Sequence, residues 1–275
     1  LIAFERGHPG GTEIVTMRPD GSDVRRLTRR DGISEEPAFS ASGHRITFVR
    51  QNPSGRTDIV VMHADGSGAH RVTGRTHNEF TPGFSPSGRR LVFAGERDGD
   101  LEIFTIRTDG SHRRQVTHNG VDDLEPAFSP RGNRIAFVKS TPPDVFGQIY
   151  TIRPDGTDLR RVTHSPDHVN NQFPDFSPGG GRIAFDRRSF RPKVGGIFTI
   201  GIDGRGERRL TSPQGEVQDL EPAFSPSGEK LAFVRFRNSA FEILTMRADG
   251  SHVHRRTHGG PNRSSLLPDW QPLPR

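Results

Sequence analysis

Pro222-Ala-Phe-Ser-Pro-Ser-Gly228 decides the fold, because the chain repeats it. It returns as Pro37-Ala-Phe-Ser-Ala-Ser-Gly43, Pro82-Gly-Phe-Ser-Pro-Ser-Gly88, Pro126-Ala-Phe-Ser-Pro-Arg-Gly132 and Pro174-Asp-Phe-Ser-Pro-Gly-Gly180, with an altered last copy, Pro268-Asp-Trp-Gln-Pro272. The prolines at 37, 82, 126, 174, 222 and 268 are 45, 44, 48, 48 and 46 residues apart. Steps of that size belong to propeller blades.

Each unit carries four β signals. The first is the Pro-x-Phe-Ser stretch, ended by a Ser-Pro-x-Gly turn in which Pro presets φ and Gly permits positive φ. The second is Arg45-Ile-Thr-Phe-Val49 and its counterparts at 90–93, 134–138, 182–185 and 230–234. The third is Ile-x-Thr-aliphatic, as in Ile103–Ile106 and Ile149–Ile152, where β-branched residues favour strand. An Asp-Gly turn follows at 20–21, 65–66, 109–110, 155–156, 203–204 and 249–250, a strong hairpin signal between β runs. The fourth is short, Arg-rich and ends at Thr, and charge on an outer edge strand blocks edge-to-edge aggregation. Of 19 Phe, eleven fall on two columns: 39, 84, 128, 176, 224 and 4, 48, 93, 137, 185, 233. A buried Phe contributes roughly 1.5–3 kcal/mol, so this ladder sustains a thin repeated core although only 30% of residues are hydrophobic.

The chain ends fix the count. Residues 1–28 hold strands two to four of a unit and lack the first, whereas 268–272 supply a first strand alone. Pairing them completes a sixth blade, with Trp270 in the aromatic column. The expectation is an all-β, six-bladed β-propeller of four-stranded antiparallel blades spanning 1–275. Its repeats lie near 35–73, 80–117, 124–163, 172–211, 220–257, and 268–272 plus 1–28. Leu1–Phe4 reads as the middle of a unit, so an upstream leader or domain is expected.

These units resemble the TolB-like, WD-repeat-like propeller repeats, which read Pro-x-aromatic-Ser-Pro-Asp-Gly, then Ile-x-Phe, Ile-aromatic-aliphatic and Asp-Gly. The resemblance covers essentially the whole chain, including the closing Pro-Asp-Trp-Gln-Pro. The family's Asp in the first turn is replaced here by Ser42, Ser87, Arg131, Gly179 and Ser227. The resemblance implies a six-bladed TolB-like propeller, exported to the periplasm or outside the cell, acting as a protein-interaction platform.

Composition narrows the alternatives. The chain has no cysteine, which removes disulfides and thiolate metal sites. No apolar run approaches the ~18 residues of a membrane-spanning helix. The net charge of +6 is carried almost wholly by arginine, and it is spread over every repeat. A nucleic-acid footprint would be clustered, so nucleic acid is not an expected partner, and a monomer is expected. A polyanion binder using the distributed arginines ranks last among the functional readings.

The connections on the face opposite the uniform turns vary in length, and function concentrates in such loops. The longest are Lys139–Gln148, with Pro142, Pro143 and Phe146, and Arg187–Gly196, with Arg188, Phe190, Arg191 and Lys193. Three residues before the repeated proline stand Ser34, Glu79, Asp123, Asn171, Asp219 and Ser265; directly before it stand Glu36, Thr81, Glu125, Phe173, Glu221 and Leu267. Ring symmetry is expected to bring both sets to the channel mouth. Glu36, Glu79, Asp123, Glu125, Asn171, Asp219 and Glu221 are then the candidate site for a protein or peptide partner. Glu79, Asp123 and Asp219 are candidate oxygen ligands for a cation such as Ca²⁺. The alternative is that these side chains only bond loop backbones and water.

His118, His164 and His258 occupy equivalent positions in separate blades and read as solvated. His63, His70, His77, His112, His252 and His254 show no metal-binding helix motif. No Gly-x-Ser-x-Gly nucleophile elbow occurs, since Gly83-Phe-Ser85-Pro-Ser87 fails at its last position. A non-catalytic binding module is therefore expected, with a metal-dependent propeller hydrolase or lyase as the alternative.

Overall fold

The computed structural model describes residues 1–29, 32–74, 77–141, 146–190, 193–260 and 264–272. The described residues form six four-stranded antiparallel sheets. Blade 1 is β4 (Ser34–Phe39), β5 (Arg45–Gln51), β6 (Thr57–His63) and β7 (His70–Arg71). Blade 2 is β8 (Glu79–Phe84), β9 (Arg90–Arg97), β10 (Asp100–Arg107) and β11 (Arg114–Gln115). Blade 3 is β12 (Asp123–Phe128), β13 (Ile135–Thr141), β14 (Phe146–Ile152) and β15 (Arg160–Arg161). Blade 4 is β16 (Val169–Phe176), β17 (Arg182–Phe190), β18 (Lys193–Gly201) and β19 (Arg208–Arg209). Blade 5 is β20 (Gln218–Phe224), β21 (Lys230–Arg237), β22 (Ala240–Arg247) and β23 (His254–Arg255). In blade 6, β24 (Ser265–Trp270) pairs with β1 (Ile2–His8), which pairs in turn with β2 (Gly11–Met17) and β3 (Arg25–Arg26). The chain ends thus share one sheet and close the ring.

The second-strand phenylalanines Phe4, Phe48, Phe93, Phe137, Phe185 and Phe233 are among the largest fully buried side chains. They sit in clusters between neighbouring blades: Phe48 packs with Ala3 and Ile14 of blade 6, and Phe93 with Ile59 and Val61 of blade 1. The core is therefore a set of inter-blade seams. Trp270 completes one of them, buried against Ile2, Phe4 and Ala223, and its indole Nε1 donates to the Ala223 carbonyl at 3.1 Å.

Two recurring residues gain a physical role. The Thr that ends each blade accepts the backbone N–H of the third-strand Ile through its Oγ1, at 2.8–2.9 Å for Thr28, Thr73, Thr117, Thr163, Thr211 and Thr257. It satisfies a buried donor where the two-residue outer strand cannot. The Asp-Gly turns press on the preceding blade. A Cβ at Gly21 would lie 2.6 Å from the Arg256 carbonyl oxygen, and one at Gly250 2.6 Å from that of Leu210. Both glycines hold φ near +90°, so backbone conformation and close approach exclude any other residue.

The two long connections differ from expectation. Most of Lys139–Gln148 and Arg187–Gly196 is strand: β17 and β18 stay paired out to Phe190 and Lys193. Pro142, Pro143 and Arg191 lie outside the described residues.

Candidate functional site in the central channel

All six innermost strands shift register at the same place, between Glu35 and Ala38 in blade 1 and at the equivalent residues elsewhere. The residue before the proline holds positive φ every time: Glu36 57°, Thr81 49°, Glu125 53°, Phe173 51°, Glu221 53° and Leu267 51°. Proline normally pushes its predecessor to extended backbone, and a left-handed non-glycine residue is strained. The strain has a geometric product. A bulge places an extra residue in the strand and re-aims its side chain, here onto the channel wall.

The bulge separates the two residue sets that were expected to converge. Glu36, Glu125 and Glu221 line a channel of about 250 Å³ with Thr81, Phe173 and Leu267, whereas Glu79, Asp123, Asn171 and Asp219 do not reach it. Those four are fully buried and partnered within the blades. Glu79 accepts from Arg113 at 2.7 Å, and Asp219 pairs with Arg235 at 2.6 and 2.8 Å. Asp123 takes Asn119 at 2.7 Å and Lys139 at 3.4 Å, and Asn171 accepts from Arg187 at 2.8 Å. Glu79, Asp123 and Asp219 thus occupy separate blades. Among the described residues no three His, Asp or Glu side chains converge as a metal site.

Two channel carboxylates were not singled out by sequence reasoning. Asp175 and Asp269 follow their prolines and line the same channel. A signal for them was present: blades 1, 3 and 5 carry Glu before the proline and Ala after it, while blades 4 and 6 carry an apolar residue before and Asp after. With about 3.3 Å per residue along a strand, the two sets form two levels. Each carboxylate accepts a backbone N–H of the next blade. Glu36 accepts from Thr81, Glu125 from Phe173 at 2.6 Å and Glu221 from Leu267 at 2.7 Å. Asp175 accepts from Phe224 at 2.7 Å and Asp269 from Phe39. Behind them, Glu5 and Asp186 accept the N–H of Glu36 and Glu221 at 3.2 and 3.1 Å.

Desolvation raises the pKa of all five channel carboxyls, more than the backbone bonds lower it. Glu36, Glu221, Asp175 and Asp269 are pushed up to about 7 and Glu125 to about 8. Arg188, paired to Asp186 at 3.2 Å, is a cation acting on Glu125 and Glu221. Near neutral pH the channel is a set of partly protonated acids that an entering cation would ionise.

Thr81 offers a local test. It is the one β-branched residue among the six left-handed positions, and its buried hydroxyl has no partner among the described residues. Asn tolerates this conformation better. Thr81→Asn is expected to stabilise the protein by about 0.5–1 kcal/mol in urea denaturation; a loss of stability would show that the bulge is not strained there.

The fold and the channel define the molecule as a six-bladed β-propeller. Its relatives sharpen that class. Residues 75–189 match the family model described as the TolB beta propeller domain. TolB from Acinetobacter baumannii superposes with a TM-score of 0.84 at 19% identity, covering 99% of this chain and 66% of that one. A putative TolB from Agrobacterium tumefaciens gives 0.77 at 21% identity, with 98% and 94% covered. A chain of the nidogen/laminin complex gives 0.74 at 13% identity, with 98% of both chains covered. No curated protein matches the sequence. In fold the chain is a TolB-like six-bladed β-propeller; it spans just under two thirds of the Acinetobacter TolB.

Proposed function

We propose that the protein is a non-catalytic binding module that takes a cationic segment of a protein or peptide partner at its carboxylate-lined channel, framed by the variable-connection face. The observation that carries this reading is the ring of Glu36, Glu125, Glu221, Asp175 and Asp269 around one channel. Their raised pKa values record charge held in a costly place, and such groups concentrate where proteins function. Glu79, Asp123 and Asp219 are paired with Arg113, Lys139 and Arg235 within their own blades and are withdrawn as ligands for a channel cation. The likeness to TolB and to a chain of the nidogen/laminin complex, folds found in proteins that meet other proteins, supports a binding role and, for the former, an exported location. No helix among the described residues is long and apolar enough to cross a membrane.

Selection of a phage-displayed peptide library against the propeller tests this. The expected product is a family of peptides sharing Lys, Arg or a free N-terminus. Glu36→Gln/Glu125→Gln/Glu221→Gln, which keeps the acceptors and removes the charge, should weaken the selected peptide by about tenfold or more. Peptides without a shared cation, or unchanged binding by the triple variant, would overturn the reading.

A further inference from the structure

A second feature lies on the opposite face, among the uniform turns. Between blades 2 and 3 a groove of about 710 Å³ is walled by Arg90, His112 and Arg114 from blade 2 and by Phe128, Arg131 and Asp155 from blade 3. The equivalent groove between blades 3 and 4 is about 290 Å³.

The repeat shows what this groove lacks. Arg45, Arg134 and Arg182 occupy the position of Arg90 in blades 1, 3 and 4, and each is anchored. Arg45 donates to the Gly88 carbonyl; Arg134 to Asp158 and to Thr151 Oγ1; Arg182 to Thr199 Oγ1 at 3.0 Å and the Gly206 carbonyl at 2.7 Å. Arg90 makes no side-chain hydrogen bond or ion pair among the described residues. The acid that neutralises Arg134 is Asp158, and its counterpart in blade 2 is His112. The counterpart of Arg131 in blades 1, 2 and 5 is a serine bonded back to its own turn: Ser42, Ser87 and Ser227. Arg131 likewise has no bonded side-chain partner among the described residues. Arg114 donates to the Asp155 carbonyl oxygen at 2.7 Å and keeps further donors. Two departures from the repeat, in different blades, therefore meet in this groove: His112 removes a negative charge and Arg131, which also borders the groove between blades 3 and 4, adds a positive one.

We propose that this groove binds the phosphate of a phosphate monoester. Four guanidiniums line the groove, and Arg113 is paired to Glu79 at 2.7 Å. Arg90, Arg114 and Arg131 against the single Asp155 carboxylate leave two positive charges, which match a monoester dianion. Guanidinium forks suit phosphate oxygens geometrically. The groove is larger than a phosphate group needs, and the half-buried Phe128 ring offers an apolar wall for the esterified group. The monoester could be soluble or the headgroup of a lipid; the chemistry is shared.

Isothermal titration with phenyl phosphate at fixed ionic strength tests the site. One saturable site per chain is expected, weakened about tenfold or more by Arg131→Ala and by His112→Asp. His112→Asp is safe for the fold, because Asp23 and Asp158 hold the same position at φ 53° and 57° against 55° for His112. Its melting curve should match that of the unaltered protein. Arg89→Ala, outside the groove, should leave binding within about twofold, as a surface charge acting at a distance does little. Absence of saturation, unchanged binding by His112→Asp, or equal weakening by Arg89→Ala would overturn the proposal. Sedimentation with phosphatidylcholine vesicles containing phosphatidic acid, lost in His112→Asp, would assign a lipid source. Binding of phenyl phosphate without sedimentation would assign a soluble ester.

Discussion

Removing residues 264–275 is expected to abolish cooperative folding, because β24 is the inner strand of blade 6 and pairs the C-terminal end of the chain with β1. Its loss exposes the β1 edge, opens the seam filled by Ile2, Phe4, Val15 and Met17, and strips the Phe39 N–H of its Asp269 acceptor. A propeller limits its strand edges by closing radially, and an open ring presents a full unpaired edge, a template for aggregation. Trp270→Ala isolates the packing part of the effect. A buried Trp→Ala change costs about 3–5 kcal/mol, which lowers the melting temperature on the order of 10 °C in a chain of this size. Circular dichroism melts with size-exclusion chromatography read both variants. A truncated chain that elutes as a monomer and melts like the intact one would refute closure by this strand.

Stability should fall as pH rises from about 5 to about 8.5. The sign follows from the channel. Glu36, Glu125, Glu221, Asp175 and Asp269 have folded-state pKa values of about 7 to about 8, above their ordinary carboxylate range, because burial disfavours the charged form. The folded state then binds more protons than the unfolded chain between those limits. The stabilisation is fully present below the unfolded pKa values and is lost as pH rises through the folded ones. Each pKa unit is worth about 1.4 kcal/mol, so the shift of even one of these carboxyls amounts to several kcal/mol, on the order of 10 °C in melting temperature. Urea denaturation across this range reads it directly. Gln and Asn at the five positions should make the profile shallower, with the remaining slope carried by Glu5, Glu79, Asp123 and Asp186, whose pKa values burial also raises. A wild-type profile that is level or rises with pH would contradict the assignment.

How much of this was legible in the sequence depended on locality. Blade number and closure could be read because they rest on short strings at fixed spacing: Pro-x-Phe, Ile-x-Phe, Asp-Gly and the lone Trp270. The site was half legible. Residues before the proline reach the channel as ring symmetry implies, but Glu79, Asp123, Asn171 and Asp219 do not, because strand alternation is interrupted by the bulge at each X-Pro step. Proline's usual effect on its predecessor argues against the left-handed conformation found six times, so no local rule announced it. The stitching bonds were hidden for another reason: each joins residues of different blades, as Glu36 joins Thr81. The groove of Arg90, His112 and Arg131 is assembled from three segments whose roles appear only when the blades are compared in space.

On the proposed reading the channel charge is kept for binding at a cost in stability, an exchange seen where function needs a strained site. One paired measurement on Glu36→Gln/Glu125→Gln/Glu221→Gln at about pH 8, where the acids are most ionised, tests it: melting temperature and affinity for a selected cationic peptide. The expected result is a higher melting temperature with affinity reduced about tenfold or more. A variant that binds the peptide as tightly as the unaltered protein would contradict the channel as the binding site.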